Sequence, residues 1–119
     1  MSTDEISKAI DAHAAWKQKL RHAIDTGECE STPERVKMDN NCAFGKWLYD
    51  RIDEKAKSSE FYDITVALHA NFHKSAGHIL ELALSGEKNQ ARSLMGLDSD
   101  FTRYSGQLTR KLKEWQAAL

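Results

Sequence analysis

The sequence predicts an all-α fold: an antiparallel four-helix bundle with one short helix that carries a cysteine. Three observations predict it. Apolar residues recur at helical spacing over three long stretches. There is a single proline and 29% of the residues are charged, which favours long amphipathic helices over sheet. Gly27 and the pair Ser85-Gly86 punctuate the periodic stretches. With 119 residues, we read 1–119 as a single domain that can bury a core without cross-links.

The elements follow in order. Ser2-Thr-Asp-Glu5 has the form of a capping box, with Ser2 as the cap. It opens a helix to about Asp25 whose residues Ile6, Ile10, Leu20 and Ile24 share one face. Residues 27–39 are polar and read as a connector, with a helical turn available after Thr32-Pro33. Asp39, Asn40 or Asn41 can cap a short second helix through about Ile52. After the charged stretch 53–59, Ser58 or Ser59 can start a third helix to about Leu84. Its stripe is Phe61, Thr65, Leu68, Phe72, Ala76, Ile79 and Ala83. A fourth helix, Glu87 to about Gln116, carries Leu94, Phe101, Leu108, Leu112 and Trp115, with Gly96 and Gly106 as places to bend or to admit a neighbour. There is no internal repeat.

Charge and composition exclude several classes. Lys plus Arg is 17 and Asp plus Glu is 18, a net charge of -1 that gives no electrostatic case for nucleic acid or an anionic membrane. No window reaches the roughly 18 apolar residues of a membrane span. The N-terminus is acidic and lacks a secretory core, so we expect a cytoplasmic chain. Cys29 and Cys42 are then reduced thiols rather than a disulfide.

The histidines separate into two sets. His69 and His73 are four apart on a predicted helix, so their rings lie on one side. His13 sits in the apolar stripe of the first helix, where a neutral ring must satisfy both nitrogens. His22 is nine residues from His13, and His78 nine from His69; each points about 180° away, onto a polar face. Cys42 opens the short helix, where the N-terminus favours a thiolate. Gly45, three residues on, leaves room for a close neighbour. Trp16, Phe44, Trp47 and Phe72 flank these residues as wedges. Cys29, in the polar connector, reads as an exposed thiol. His13, Cys42, His69 and His73 together offer three imidazoles and one thiolate, a closed tetrahedral set for zinc. Four protein ligands leave no position for water, which argues against a hydrolytic enzyme. Asp11, Asp39, Asp63 or backbone carbonyls are the acceptors available to the imidazole N–H groups. No Glu-x-x-His occurs, which argues against a di-iron bundle, and no Cys-x-x-Cys-His, which argues against attached haem.

The frames His13-Ala-Ala-Trp16, Cys42-Ala-Phe44-Gly45-Lys-Trp47 and His69-Ala-Asn-Phe-His73 come in order, separated by 25 residues (17–41) and 21 residues (48–68). This pattern resembles the chemoreceptor zinc-binding (CZB) domain family of bacteria. The resemblance implies a helical bundle with one Zn2+ per chain on His13, Cys42, His69 and His73. It implies a homodimer, and a chemoreceptor or a diguanylate cyclase as signalling partner. The expected function is a zinc-binding regulatory or sensor domain, not an enzyme. It would respond to zinc, or to oxidants such as hypochlorous acid through the zinc-bound Cys42, in chemotaxis or cyclic-di-GMP signalling. The rival reading is a dimerisation module whose zinc is purely structural.

Overall fold

A computed structural model describes residues 3–38, 42–51 and 57–118. The described residues are helical and contain no strand. Helix α1 is Thr3–Thr26 and stops at Gly27, whose φ of 76° suits the missing Cβ. The Ser2 cap expected for it lies outside the described residues. The connector holds a one-turn helix, α2, Pro33–Lys37. The Thr32 hydroxyl accepts from the Arg35 N–H at 3.2 Å, and Pro33 supplies the fixed φ of a first helical position.

The short cysteine helix differs from expectation at its start. Helix α3 is Ala43–Lys46, and its cap is Cys42 itself, whose sulfur accepts from the Gly45 N–H at 3.3 Å. Asp39, Asn40 and Asn41, the expected caps, lie outside the described residues, as does Ile52. The chain continues from α3 as a π-helical segment, Trp47–Arg51. Wider turns of this kind are rare and occur often at functional sites.

Helix α4, Glu60–Leu84, starts where Ser59 caps the Phe61 N–H at 3.2 Å. It ends in a Schellman arrangement: Glu87 N–H donates to Leu82 O at 2.9 Å and Gly86 N–H to Ala83 O at 3.4 Å, with Gly86 at φ 84°. The predicted fourth helix is two. Helix α5 is Lys88–Ser93 and helix α6 is Asp100–Ala118. The intervening turn is closed by Gly96 N–H to Ser93 O and Ser99 N–H to Gly96 O. The Ser99 hydroxyl then accepts from Thr102 N–H at 3.2 Å, the bond of a helix cap. Gly96 therefore belongs to a break rather than a bend, and Leu97 in the same turn is 92% exposed.

The all-helical reading holds, but the arrangement is less regular than four rods. Three long helices, α1, α4 and α6, pack on one another, and α2 lies along α4. Their shared core is Ile6, Leu20, Ile24, Phe72, Ile79, Leu80, Phe101, Leu108, Leu112 and Trp115, all essentially inaccessible. Contacts give directions. Phe61 stacks on Trp115 and Phe72 meets Phe101, so α6 runs against α4. Gln116 donates to the Ser7 hydroxyl at 2.7 Å, joining the end of α6 to the start of α1. Lys88 reaches Asp25 O at 3.4 Å, joining α5 to the end of α1.

Two helical glycines have opposite surroundings. A Cβ on Gly77, in α4, would collide with the Lys37 side chain and press on Pro33 O at 3.1 Å and Lys37 N at 3.2 Å. A Cβ on Gly106, in α6, would meet nothing within 4 Å. We expect Gly106→Ala to raise unfolding stability by about 0.4–1 kcal/mol, because only the unfolded chain loses freedom. Gly77→Ala should lower it by about 1–3 kcal/mol through overpacking. Urea denaturation of the two variants beside the parent checks both signs.

Candidate metal centre

Burial sorts the five histidines. His13, His69 and His73 are buried, with 4%, 0% and 3% of their surface exposed, whereas His22 and His78 are exposed. Helix periodicity alone separated these sets, and the structure keeps the separation. His13 comes from the middle of α1, and His69 and His73 from successive turns of α4. Cys42, part-buried, enters from the N-terminus of α3. One ligand atom from each of these four residues lies within 4.8 Å of all the others. The Cys42 sulfur is 3.2 Å from His69 Nε2, which is 3.0 Å from His73 Nε2. A zinc ion with ordinary bond lengths places tetrahedral nitrogen and sulfur donors roughly 3.3–3.6 Å apart. The two close spacings fall a few tenths of an ångström short of that range, and the whole set stays within 4.8 Å.

Backbone carbonyls set the tautomers. His13 Nδ1 is 2.6 Å from Ala9 O, the carbonyl one turn back on its own helix. His73 Nδ1 is 2.9 Å from Val36 O, which belongs to α2. A carbonyl oxygen only accepts, so both Nδ1 atoms carry the proton. Both Nε2 lone pairs then face the cluster. His13 Nε2 is buried without a hydrogen-bond partner. The acceptors in use are thus carbonyls; Asp11 and Asp63 are exposed, and Asp39 lies outside the described residues.

The surroundings are apolar and aromatic. Phe44 and Phe72 set their edges or faces against the His13 ring at 5.9 and 5.1 Å between centroids, near perpendicular. His69 and His73 are themselves edge-to-face at 4.5 Å. Phe44 and Trp47 stack beside them. Of the four predicted wedges Phe44, Trp47 and Phe72 are buried, while Trp16 is only partly so. Such walls oppose charge on the rings. Burial lowers His13 from the ordinary 6.5 to about 4, opposed by its bond to Ala9 O and aided by His73. Burial also drives His69 to about 2, with His73 and His13 adding to the effect. Lone pairs therefore converge at a place where protons are poorly held. A soft or borderline dication answers that arrangement, and a thiolate among the donors balances its charge.

Three contributors were not legible in the chain. Ala9 O and Val36 O orient two rings, and Gly77 admits α2 closely enough for Val36 to do so. A bond from Lys37 Nζ to Glu81 at 2.8 Å ties the end of α2 to α4 one turn beyond Gly77. That bond holds the Glu81 carboxyl below its usual range. Cys29 also departs from expectation: it is part-buried and packs against the core instead of being exposed.

A buried three-histidine, one-cysteine donor cluster in an all-helical chain defines a metal-binding helical domain. A family model, the chemoreceptor zinc-binding domain, matches residues 13–80, more than half of the chain, and spans all four donors. The chain belongs to the CZB family. No curated protein and no solved structure matches it. Family and donor set together fit a zinc-binding signalling domain. Among the described residues no helix is long and apolar enough to cross a membrane.

The depressed histidines fix the sign of an acid response. In the metal-free protein the folded His13 takes a proton less readily than the unfolded chain does. Its contribution is complete above pH 6.5 and is lost as pH falls from 6.5 towards 4. His69 acts in the same direction. We expect metal-free protein to lose on the order of 2 kcal/mol of stability between pH 7 and pH 5 from His13 alone. Urea midpoints across that range check it.

Proposed function

We propose that this chain is a zinc-responsive regulatory domain, with one Zn2+ per chain held by His13, Cys42, His69 and His73. The observation that carries the reading is the convergence of those four donor atoms, within 4.8 Å of one another, in a buried aromatic pocket. Zinc bound there would supply a closed coordination centre that joins α1, α3 and α4 and keeps the Cys42 sulfur as thiolate. With all four positions filled by protein the centre has no room for a reacting water, which supports a non-enzymatic role.

The donors have distinct tasks. His13 and His73 are pre-oriented through Ala9 O and Val36 O. Cys42 is the soft and chemically reactive member, and the Gly45 N–H holds its sulfur in place. An oxidant such as hypochlorous acid would convert the thiolate to sulfenic acid, with the sulfur–oxygen bond formed and chloride leaving. The weakened sulfur would then release the α3 segment from α1 and α4. We read α1, α4, α6 and the short helix α3 as an antiparallel bundle that transmits this change across a homodimer. The output is to a cytoplasmic chemoreceptor or diguanylate cyclase, in chemotaxis or cyclic-di-GMP signalling.

Elemental analysis of the purified chain and four variants tests the ligand set. One zinc per chain is expected in the parent, in His22→Ala and in His78→Ala. Loss or marked weakening is expected in His13→Ala and Cys42→Ser. Equal zinc content in all five proteins sinks the assignment. Hydrogen exchange with and without zinc separates regulation from the rival structural role. A regulatory site changes protection in α2 and α3 on zinc loading or oxidation. A purely structural zinc gives the same pattern after oxidation as before it.

A further inference from the structure

The metal cluster opens to solvent where a surface cavity meets it. A cavity of about 410 Å³ beside α2 reaches Cys42 and His73. His13 and His69 do not line it. A small molecule that enters therefore meets the sulfur and one ring edge, while the remaining two imidazoles stay behind the aromatic wall. The outer wall is different in character. Met38 is 50% exposed, and Arg35 is also exposed. Ser31 adds a hydroxyl, and Trp16 forms the apolar flank.

Among the described residues that line this cavity, Arg35 alone carries a fixed formal charge. Its backbone is held in α2, where its N–H is capped by Thr32 and its carbonyl accepts from Met38 N–H at 3.2 Å. The nearby Lys37 is paired with Glu81 on α4, so its charge is largely balanced. The cavity thus has a permanent cation and a nucleophilic sulfur in one lining. That combination favours anions over neutral molecules of the same size, and over cations most of all.

We propose that this cavity is the port through which small reactants reach the Cys42 sulfur, and that Arg35 makes it selective for small anionic oxidants. The oxidant part of this inference rests on the regulatory reading above; the port and its charge preference do not. For hypochlorite the net step balances as oxygen transfer: the thiolate sulfur forms a bond to oxygen, the oxygen–chlorine bond breaks, and chloride leaves with the bonding pair. The sulfur is oxidised to sulfenate and the chlorine is reduced. Neutral hydrogen peroxide enters without help from Arg35.

Alkylation of the metal-free protein tests the port apart from any sensing. A Cys29→Ser background leaves Cys42 as the one thiol. Iodoacetate and iodoacetamide then compare an anion with a neutral molecule of similar size, with the rate read by mass spectrometry. A unit charge lining the same open cavity as the sulfur predicts an iodoacetate-to-iodoacetamide rate ratio that falls about threefold in Arg35→Gln and about eightfold in Arg35→Glu. The iodoacetamide rate should stay within about twofold of the parent, and about 0.5 M salt should shrink the difference between variants. Circular dichroism and zinc content matching the parent show that the variants are folded. An unchanged ratio, or an equal fall with both reagents, overturns the proposal.

A second arm follows zinc release by hypochlorite and by hydrogen peroxide. The ratio of the two release rates should drop in Arg35→Glu. If alkylation follows Arg35 but neither oxidant releases zinc, the port stands and the oxidant-sensing reading fails. If both oxidants release zinc at rates that ignore Arg35, and alkylation ignores it too, the port fails and the sensing reading stands.

Discussion

Nitrogen and sulfur lone pairs that converge on one point are the constraint on which this structure depends. Two of the three rings have no freedom to turn away: Ala9 O and Val36 O take their Nδ1 protons, so their Nε2 atoms must face the cluster. A buried acceptor with no donor costs about 1–3 kcal/mol. Protonation offers little relief, because burial holds His13 near 4 and His69 near 2. A cation in the cluster would satisfy every donor at once, and structural zinc contributes on the order of 10–16 kcal/mol in small peptides. Metal binding at the cluster would remove that cost.

The elements divide according to what holds them. The contacts among α1, α4 and α6 are apolar and large, centred on Phe72, Phe101, Leu108, Leu112 and Trp115. These contacts need no metal. The segment from α2 to the π-helical turn is held otherwise. It contributes Val36, Phe44, Trp47 and Leu48 to the core and one ligand, Cys42. Its helices have five and four residues, too short to persist unaided. The site therefore sits at the seam between the three long helices and these short elements.

What could be read from the chain was what repeats locally. A step of nine residues is a half-turn in any α-helix, so His22 and His78 declared themselves against His13 and His69 without coordinates. The frame His69-Ala-Asn-Phe-His73 needed only the helical repeat. Long-range contacts left no such mark. Nothing in the polar connector marks Val36 O as the acceptor for His73, 37 residues away. Gly77 looked like one more small residue on a helix, because its crowding comes from Pro33 and Lys37. Leu94, Phe101 and Leu108 are spaced by sevens, and that spacing kept the apolar stripe in phase across the break that Ser99 caps. Cys42 as its own helix cap was hidden by Asp39, Asn40 and Asn41, each a stronger capping residue by type.

Helix α2 couples the site to the rest of the fold. It offers no ligand, yet His73 keeps its tautomer through the Val36 carbonyl. Its own order comes from the Thr32 cap, the burial of Val36, the close fit over Gly77 and the Lys37–Glu81 pair. Those four contributions are individually modest, and the exposed ion pair is the smallest of them. An event that lifts α2 removes the acceptor from His73 and weakens the centre. By linkage, an event at the centre must act on α2 with equal free energy. A ligand set built wholly on long helices would bind metal and transmit little. Making one ligand's orientation depend on a five-residue helix turns metal binding into a question about the state of the surface.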